Sequence, residues 1–409
     1  MCTAMVTQTS QGDIYFGRTM DFSYPLEPEL YVVPKGFQWN NIMNTHQVRN
    51  RYRFMGIGQD ISPVVFADGV NEMGFGAAVL YFPGYARYDS PDPEDPSRPA
   101  VTALELTGFL LGLSASVEEA AFILRTIRIV GAQDSITGTI APLHWLVADR
   151  TGKSMVIEKT ADGLHLMDNP IGVLSNSPDF QWHLTNLRNY MNLSASQNQS
   201  QTWGSLELTP LGQGVGSFGL PGDYTPPSRF VRTAFLKTHT PIPAGREEAA
   251  LTCFHIMESV SIPKGPVITG RNTPDYTQYT AFINLSSREY FFRTYDNSCI
   301  TSASLPGNPD TVQMHEMNGL EACRAIRGMQ GQDASSIPVI AMTANSYQED
   351  AGAAAEAGMD GFVTKPVDAE YLCQVSERAQ RLGQPAEGSR LIEDRQRLHA
   401  AFRIRIAGQ

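Results

Sequence analysis

Met1-Cys2-Thr3-Ala4-Met5 and, beyond a Gln11-Gly12 turn, Gly17-Arg18-Thr19-Met20-Asp21-Phe22 are the two stretches on which the reading of this chain turns. Removal of Met1 would leave Cys2 with a thiol and a free α-amine on one residue. Their unperturbed pKa values are roughly 8.5 and 7.7–8.0, so both exchange protons near neutrality. Such a residue can attack an acyl carbon while its own amine carries the proton. Cys2 by itself is an ordinary small residue near a start. The second stretch supplies its company. Thr3–Thr9 alternates weakly and Asp13–Arg18 reads as a short strand, so Arg18-Thr19-Met20-Asp21 is expected to follow a strand end. An Arg beside a thiol favours the thiolate. An Asp beside the terminus can hold the α-amine through a charge-assisted hydrogen bond. Singly, the two would be a surface pair in a turn.

Further along, two polar clusters fit the same chemistry. In Leu174-Ser175-Asn176-Ser177-Pro178, an Asn at the end of a strand can donate to a developing oxyanion, or cap the helix expected from Asp179. Pro227-Ser228-Arg229-Phe230-Val231-Arg232 opens a helix with two cations about one turn apart, which elsewhere would be a solvated face. The spacing Gly214-x-Gly216-x-x-Gly219 matches a dinucleotide fingerprint. It has no strand before it, and Leu220-Pro221-Gly222 follows where a helix is required, so it reads as a flexible loop.

The 409 residues, 42% of them hydrophobic, are enough for a large core. A formal net charge of −11 argues against a nucleic-acid or anionic-membrane partner. No apolar run has the length of a membrane span. The first residues lack a basic n-region and a long apolar run, so a cytoplasmic location is expected. The five cysteines are Cys2, Cys253, Cys299, Cys323 and Cys373. They form no CxxC pair, and neither a disulfide framework nor a zinc site is expected. Strands are expected at Glu29–Pro34, Pro63–Ala67, Phe75–Phe82, Leu143–Ala148, Ser154–Lys159 and Leu164–Asp168, with a last hairpin at Tyr279–Asn284 and Tyr290–Tyr295. Helices are expected at Thr102–Leu113, Val117–Ile127 (capped by Ser116), Asp179–Met191, Ser228–Thr238 and Arg246–Ser259. Leu193–Leu208, rich in Asn, Ser and Gln, reads as a surface loop.

In this order the motifs resemble the choloylglycine hydrolase family, which includes bile salt hydrolases and penicillin V acylases. The shared stretches include Met1-Cys2, Gly17–Phe22, Asp68-Gly69-Val70-Asn71-Glu72-Met73-Gly74, Phe82-Pro83-Gly84-Tyr85 and Leu174–Pro178. They continue with Leu220-Pro221-Gly222-Asp223, Ser228–Arg232, Asp275-Tyr276-Thr277-Gln278-Tyr279-Thr280 and Arg293-Thr294-Tyr295-Asp296-Asn297. The resemblance covers residues 1–305 and implies an α+β fold, the four-layer αββα sandwich of the N-terminal nucleophile hydrolases, with no cofactor and no metal. It implies Cys2 as nucleophile with its α-amine as proton carrier, and Arg18 and Asp21 to polarise and orient it. Asn176, with a backbone N–H near residue 82, would form the oxyanion hole, and Arg229 would stabilise charge at the reacting centre. Met20, Tyr81 and Phe82 would face the substrate. The implied reaction is hydrolysis of a small-molecule carboxamide through an S-acyl enzyme, in a homotetramer. Tyr at position 81, with its stacking area and hydroxyl, points to penicillin V. Conjugated bile salts, or N-acyl homoserine lactones, are the other readings.

After Pro306-Gly307-Asn308-Pro309-Asp310 the pattern changes. Met314–Ala322, Ile337–Asn345 and Ala357–Asp368 resemble a response-regulator receiver domain, of the flavodoxin-like α/β type, with Thr343 and Lys365 on the switch and invariant-lysine positions. The expected division is an amidohydrolase domain over 1–305, a junction over 306–316, a truncated receiver fragment over 317–385 and a helical tail over 386–409. The resemblance puts Thr311 where the phosphoacceptor Asp belongs, and the acidic pair that would bind Mg²⁺ is missing. The fragment is expected to be non-phosphorylatable and marginally stable, with an open sheet edge. A reading from another class makes the chain a signalling protein that docks a partner through this fragment. The fusion is also expected to remove the last short segment of the hydrolase.

Overall fold

Strand formation begins at the two opening motifs. Cys2–Gln8 and Ile14–Phe22 pair antiparallel in the register Cys2↔Met20, Thr3↔Thr19 and Ala4↔Arg18. The second strand runs four residues further than the expected Arg18. Arg18 and Asp21 therefore lie inside a strand and not after one. Tyr276–Asn284 flanks its other edge, so this strand is central and its polar residues find their partners above and below the sheet. Paired residues share a face and successive residues alternate. Cys2, Arg18 and Met20 thus share one face, and Thr3, Thr19 and Asp21 the other.

The computed structural model describes residues 1–26, 28–61, 64–91, 98–133, 138–315, 339–343 and 358–364. It divides into two compact units, Met1–His315 and Glu316–Gln409. In the first unit a six-stranded sheet runs Val173–Leu174, Cys2–Gln8, Ile14–Phe22, Tyr276–Asn284, Glu289–Thr294, Thr301–Ser304. An eight-stranded sheet runs Gly163–Asp168, Ser154–Thr160, Leu143–Asp149, Phe75–Tyr81, Val64–Asn71, Phe54–Asp60, Glu29–Val33, Gln313–His315. Each neighbouring pair in both sheets is antiparallel.

The sheets face each other, with Cys2–Gln8 and Ile14–Phe22 against Phe75–Tyr81. Helices Leu106–Leu113 and Val117–Thr126 cover the outer face of the eight-stranded sheet; Pro226–His239 and Arg246–Glu258 cover the six-stranded one. This is the αββα sandwich the motifs imply. A core of Phe66, Phe75, Ala77, Trp145 and Val147 with Leu106, Leu110, Leu111 and Leu124 fills the space under the first helix pair. Removal of that apolar area from water is the main force holding the layer.

Several boundaries differ from expectation for local reasons. The first helix starts at Leu106 and not at Thr102, because Ala100–Thr102 is a short strand and the Glu105 carboxylate takes the Thr102 N–H at 2.7 Å. Ser116 caps the next helix as expected, its hydroxyl accepting from the Glu119 N–H at 3.2 Å. The helix after Asn176 spans Phe180–Asn186 and tightens into a 3₁₀ turn over Leu187–Tyr190. The expected loop at 193–208 contains a small hairpin, Gln201–Trp203 with Leu206–Leu208. The hydrolase unit also continues past residue 305: Gln313–His315 hydrogen-bonds to Leu30–Val32 at the edge of the eight-stranded sheet.

In the second unit, Ile340–Thr343 pairs in parallel with Gly361–Thr364, as an α/β alternation requires. Thr343 closes the first of these strands. Most of the expected receiver fragment over 317–385, Lys365 included, and the tail at 386–409 lie outside the described residues. Among the described residues no helix is long and apolar enough to cross a membrane.

Candidate active site

The inter-sheet face carries the thiol. Cys2 is 4% exposed. Arg18 Nη2 donates to Cys2 Sγ at 2.6 Å and to Met20 Sδ at 3.4 Å. Arg18 Nη1 donates to the carbonyls of Ala67 (3.1 Å) and Val79 (2.6 Å), and Nε to that of Thr19 (3.2 Å). The two Nη1 acceptors are main-chain atoms of the facing sheet, so the eight-stranded sheet fixes the plane of the guanidinium. Asp68 Oδ2 lies 4.0 Å from Arg18 Nε and is held by the Tyr279 hydroxyl at 2.6 Å; the Tyr290 hydroxyl donates to Oδ1 at 2.8 Å. Burial works against the charge of Arg18, but Cys2, Tyr279 and Asp68 outweigh it and hold the guanidinium protonated more firmly than usual.

The opposite face carries the second cation. Arg229, in the first turns of Pro226–His239, donates through Nη1 to the Cys2 carbonyl at 2.7 Å and to the Thr3 hydroxyl. Its Nη1 is 3.7 Å from Asp21 Oδ2. Asp21 also accepts from the hydroxyls of Thr277 (2.6 Å) and Thr19 (3.2 Å). Burial pushes the Asp21 carboxyl above the ordinary range, and Arg229 pulls against it. The Met1 ammonium donates to the Asp21 carbonyl and, at 3.1 Å, to Asp275 Oδ2.

Asn176 joins the two sides. Its Oδ1 accepts from the Cys2 N–H at 2.7 Å and from Arg229 Nη2 at 2.7 Å, while its Nδ2 donates to the Tyr81 carbonyl at 2.6 Å. The atom that would become the α-amine on removal of Met1 is therefore held by a carboxamide oxygen. The Asp21 carboxylate pairs with Arg229, whereas the Cys2 N–H is taken by Asn176. The structure brings Cys2, Arg18, Asp21, Asn176 and Arg229 together around one atom group: a thiol, an adjacent nitrogen, a fixed cation at the sulfur and a carboxamide beside both.

The three expected substrate-facing residues are placed differently from one another. Met20 shares the thiol's face and is 8% exposed. Tyr81 reaches the site through its carbonyl. Its cross-strand partner is Leu143, and alternation puts its ring on the side of Ala77 and Val79, toward the helices. Phe82 is fully buried, stacked on His144 (4.2 Å between centroids, 5°) and on Tyr85 (5.4 Å, 26°), and its N–H donates to the Pro142 carbonyl at 2.7 Å. A groove of about 420 Å³ borders the next segment, lined by Pro83, Arg87, Tyr88, Ile140 and Pro142 among others; none of the five clustered residues lines it. Among the described residues no group of three His, Cys, Asp or Glu side chains is placed to hold a metal ion.

Sequence reading missed Asp68, Asp275, Thr277, His144, Glu158 and His183. Asp68, Asp275 and Thr277 were within quoted motifs, but nothing in residue type singled them out. The two histidines had no signal beyond being buried singly in apolar stretches. His183 Nε2 donates to the Asn176 carbonyl at 2.7 Å, and burial pushes its pKa down to about 4.

Residues 2–317 match the model of linear amide C–N hydrolases of the choloylglycine hydrolase family, and residues 311–377 match the response-regulator receiver domain. The chain is 38% identical over 311 residues to a bile salt hydrolase/transferase of Clostridium perfringens, covering 75% of this chain and 92% of that one. A bile salt hydrolase/transferase of Lactiplantibacillus plantarum is 35% identical over 306 residues, with the same two coverages of 75% and 92%. Among solved structures, a mutant of the conjugated bile acid hydrolase from Clostridium perfringens superposes with a TM-score of 0.72 at 35% identity, covering 78% of this chain and 97% of that one. The penicillin V acylase of Agrobacterium tumefaciens shares the fold, with a TM-score of 0.63 at 22% identity and coverages of 78% and 92%. The match over residues 2–317 and the likeness to these hydrolases show that the chain belongs to the choloylglycine hydrolase family, as an amidohydrolase with a receiver-like sequence behind it.

Proposed function

We propose that this amidohydrolase cleaves the amide bond of conjugated bile salts, with Cys2 as nucleophile once Met1 has been removed. The observation that carries the reading is the 38% identity to a bile salt hydrolase/transferase over 92% of its length. The penicillin V reading rested on Tyr81. Against that single residue stands the likeness of the whole hydrolase unit to bile salt hydrolases.

In this mechanism Cys2 Sγ attacks the amide carbonyl and its proton passes to the α-amine. Arg18, donating to Sγ, holds the sulfur as negative charge develops. Asn176 Oδ1 orients the amine, and the second N–H of its carboxamide is available to the oxyanion. Arg229 bridges the Cys2 carbonyl, Asn176 and Asp21, which fixes the nucleophile relative to the carboxamide. The protonated amine gives its proton to the departing nitrogen, an S-acyl enzyme remains, and water cleaves it by the reverse proton path.

The test uses protein whose mass shows Met1 removed, assayed side by side with glycine- or taurine-conjugated bile salt and with phenoxymethylpenicillin. We expect kcat/KM for the bile salt to exceed that for the penicillin by at least about tenfold, and Cys2→Ser to lose about 10³-fold or more. Faster turnover of the penicillin overturns the substrate, and full activity in Cys2→Ser overturns the mechanism. The acting form is proposed to be a homotetramer. The exposed Trp203, Leu206, Leu211 and Phe218, on and after the 201–208 hairpin, are the apolar surface such an assembly would bury. A monomeric mass in solution contradicts it.

A further inference from the structure

Beneath the reacting groups lies a second layer of polar side chains that the proposed reaction does not use. His144, Glu158 and His183 are all buried. His144 and Glu158 are cross-strand neighbours, one step beyond the Trp145↔Ile157 pair, with His144 Nδ1 3.1 Å from Glu158 Oε1. Both Glu158 oxygens accept from the Phe180 N–H, at 3.1 and 3.3 Å. Phe180 opens the helix Phe180–Asn186, and that helix carries His183. His183 Nε2 donates to the Asn176 carbonyl at 2.7 Å, and its ring stacks on Phe230 (4.6 Å, 16°), the neighbour of Arg229.

A second route leads to the same residue. The His144 ring lies flat against Phe82 at 4.2 Å. Phe82 follows Tyr81, whose carbonyl accepts from Asn176 Nδ2 at 2.6 Å. His144 therefore reaches both ends of Asn176: the side-chain nitrogen through Phe82 and Tyr81, and the main-chain carbonyl through Glu158, the helix and His183. Among the described residues, no side chain or main-chain group hydrogen-bonds the buried His144 Nε2 or His183 Nδ1. An unpaired buried ring nitrogen costs stability, which two phenylalanines in the same places would not. Packing alone does not account for two such histidines.

We propose that His183, braced by the His144–Glu158 pair, is a positioning residue for Asn176: it clamps the Asn176 peptide so that the carboxamide meets the Cys2 nitrogen and the reacting carbonyl in one fixed orientation. The proposal rests on the amidohydrolase reading above. His183 stays in its Nε2–H form because the carbonyl needs a donor, and burial keeps the ring neutral. Arg229 anchors Asn176 Oδ1 from one side, and His183 anchors its backbone from the other.

The test compares His183→Phe, which retains the stack on Phe230 but offers no donor, with His183→Gln, whose Nε2 can donate from a similar place. With conjugated bile salt as substrate, kcat for His183→Phe should fall by about 10- to 100-fold with KM changed less than about twofold, because misplacement of a reacting group acts on turnover. His183→Gln should recover most of that loss. Alkylation of Cys2 by iodoacetamide should be equally fast in all three proteins, since the sulfur is held by Arg18 and not by Asn176. Full kcat in a folded His183→Phe, or equal loss in both variants, overturns the proposal. So does an Nδ1–H tautomer for His183 in the ¹⁵N spectrum of the wild-type protein, a measurement that stands even if His183→Phe does not fold. The wild-type rate tests the proposed reaction, whereas the variant ratios and the tautomer test the clamp, so the two can fail separately.

Discussion

Arg18 has five N–H groups, and the structure gives each an acceptor: three main-chain carbonyls, the Cys2 sulfur and the Met20 sulfur. A guanidinium so fixed offers direction as well as charge. Lysine offers charge on a flexible stem with three donors and no fork. We expect Arg18→Lys to lower kcat/KM by about 10²-fold or more and to slow Cys2 alkylation at neutral pH, because the ammonium cannot serve two sheet carbonyls and the sulfur together. Steady-state kinetics and alkylation rates check this; values within twofold of wild type would show that charge alone suffices. The clustered residues were legible because each sits in a motif with a distinctive order. The acceptors of Arg18 were not, since main-chain carbonyls of Ala67 and Val79 carry no residue-type signal. His183 was illegible for a related reason: a lone histidine on an apolar helix face is read as packed core, and only the Asn176 carbonyl at 2.7 Å distinguishes it.

The strand Ile14–Phe22 does the sorting for the whole site. Its alternation sends Arg18 and Met20 between the sheets and Thr19 and Asp21 toward the helix that carries Arg229. That division needs neighbouring strands to approach closely at Gly17, where a Cβ would stand 2.3 Å from the Ala281 carbonyl and 2.4 Å from the Phe282 ring. Phe282 in turn packs edge-on against Phe254 of the covering helix at 5.5 Å. Gly17→Ala should therefore destabilise the fold by about 1–3 kcal/mol through overpacking. A urea titration followed by near-UV signal reads the shift, and an unchanged midpoint would mean the sheet yields more easily than its geometry implies. Most strands were readable from alternation and turn residues. Phe54–Asp60 was not, because Gly56 and Gly58 interrupt its apolar run and look like loop. Their lack of side chains is what permits contact with Val64–Asn71: a Cβ on Gly56 would meet the Asp68 carbonyl at 2.5 Å. Asp68 is the residue that faces Arg18, so the unreadable strand helps to seat a site residue.

At the level of the whole chain, family resemblance located the hydrolase and the receiver-like sequence, and the first compact unit ends at His315, inside the expected junction over 306–316. Composition and break residues marked residue 305, because Pro306–Asp310 looks like a linker. The pairing of Gln313–His315 with Leu30–Val32 depends on a partner nearly three hundred positions earlier, which no local pattern announces. Those three residues overlap the stretch that resembles the receiver, and both family matches include them. They serve the hydrolase nonetheless. A protein cut after Leu305 should leave the Glu29–Val33 edge bare and prone to intermolecular pairing, whereas one cut after Glu316 should stay soluble and retain bile-salt turnover. Light scattering and activity of the two truncations check this, and equal behaviour would deny the strand its role. The last strand of the eight-stranded sheet thus sits where the two family matches overlap, and a cut placed at the change of local pattern would unravel the hem of the hydrolase.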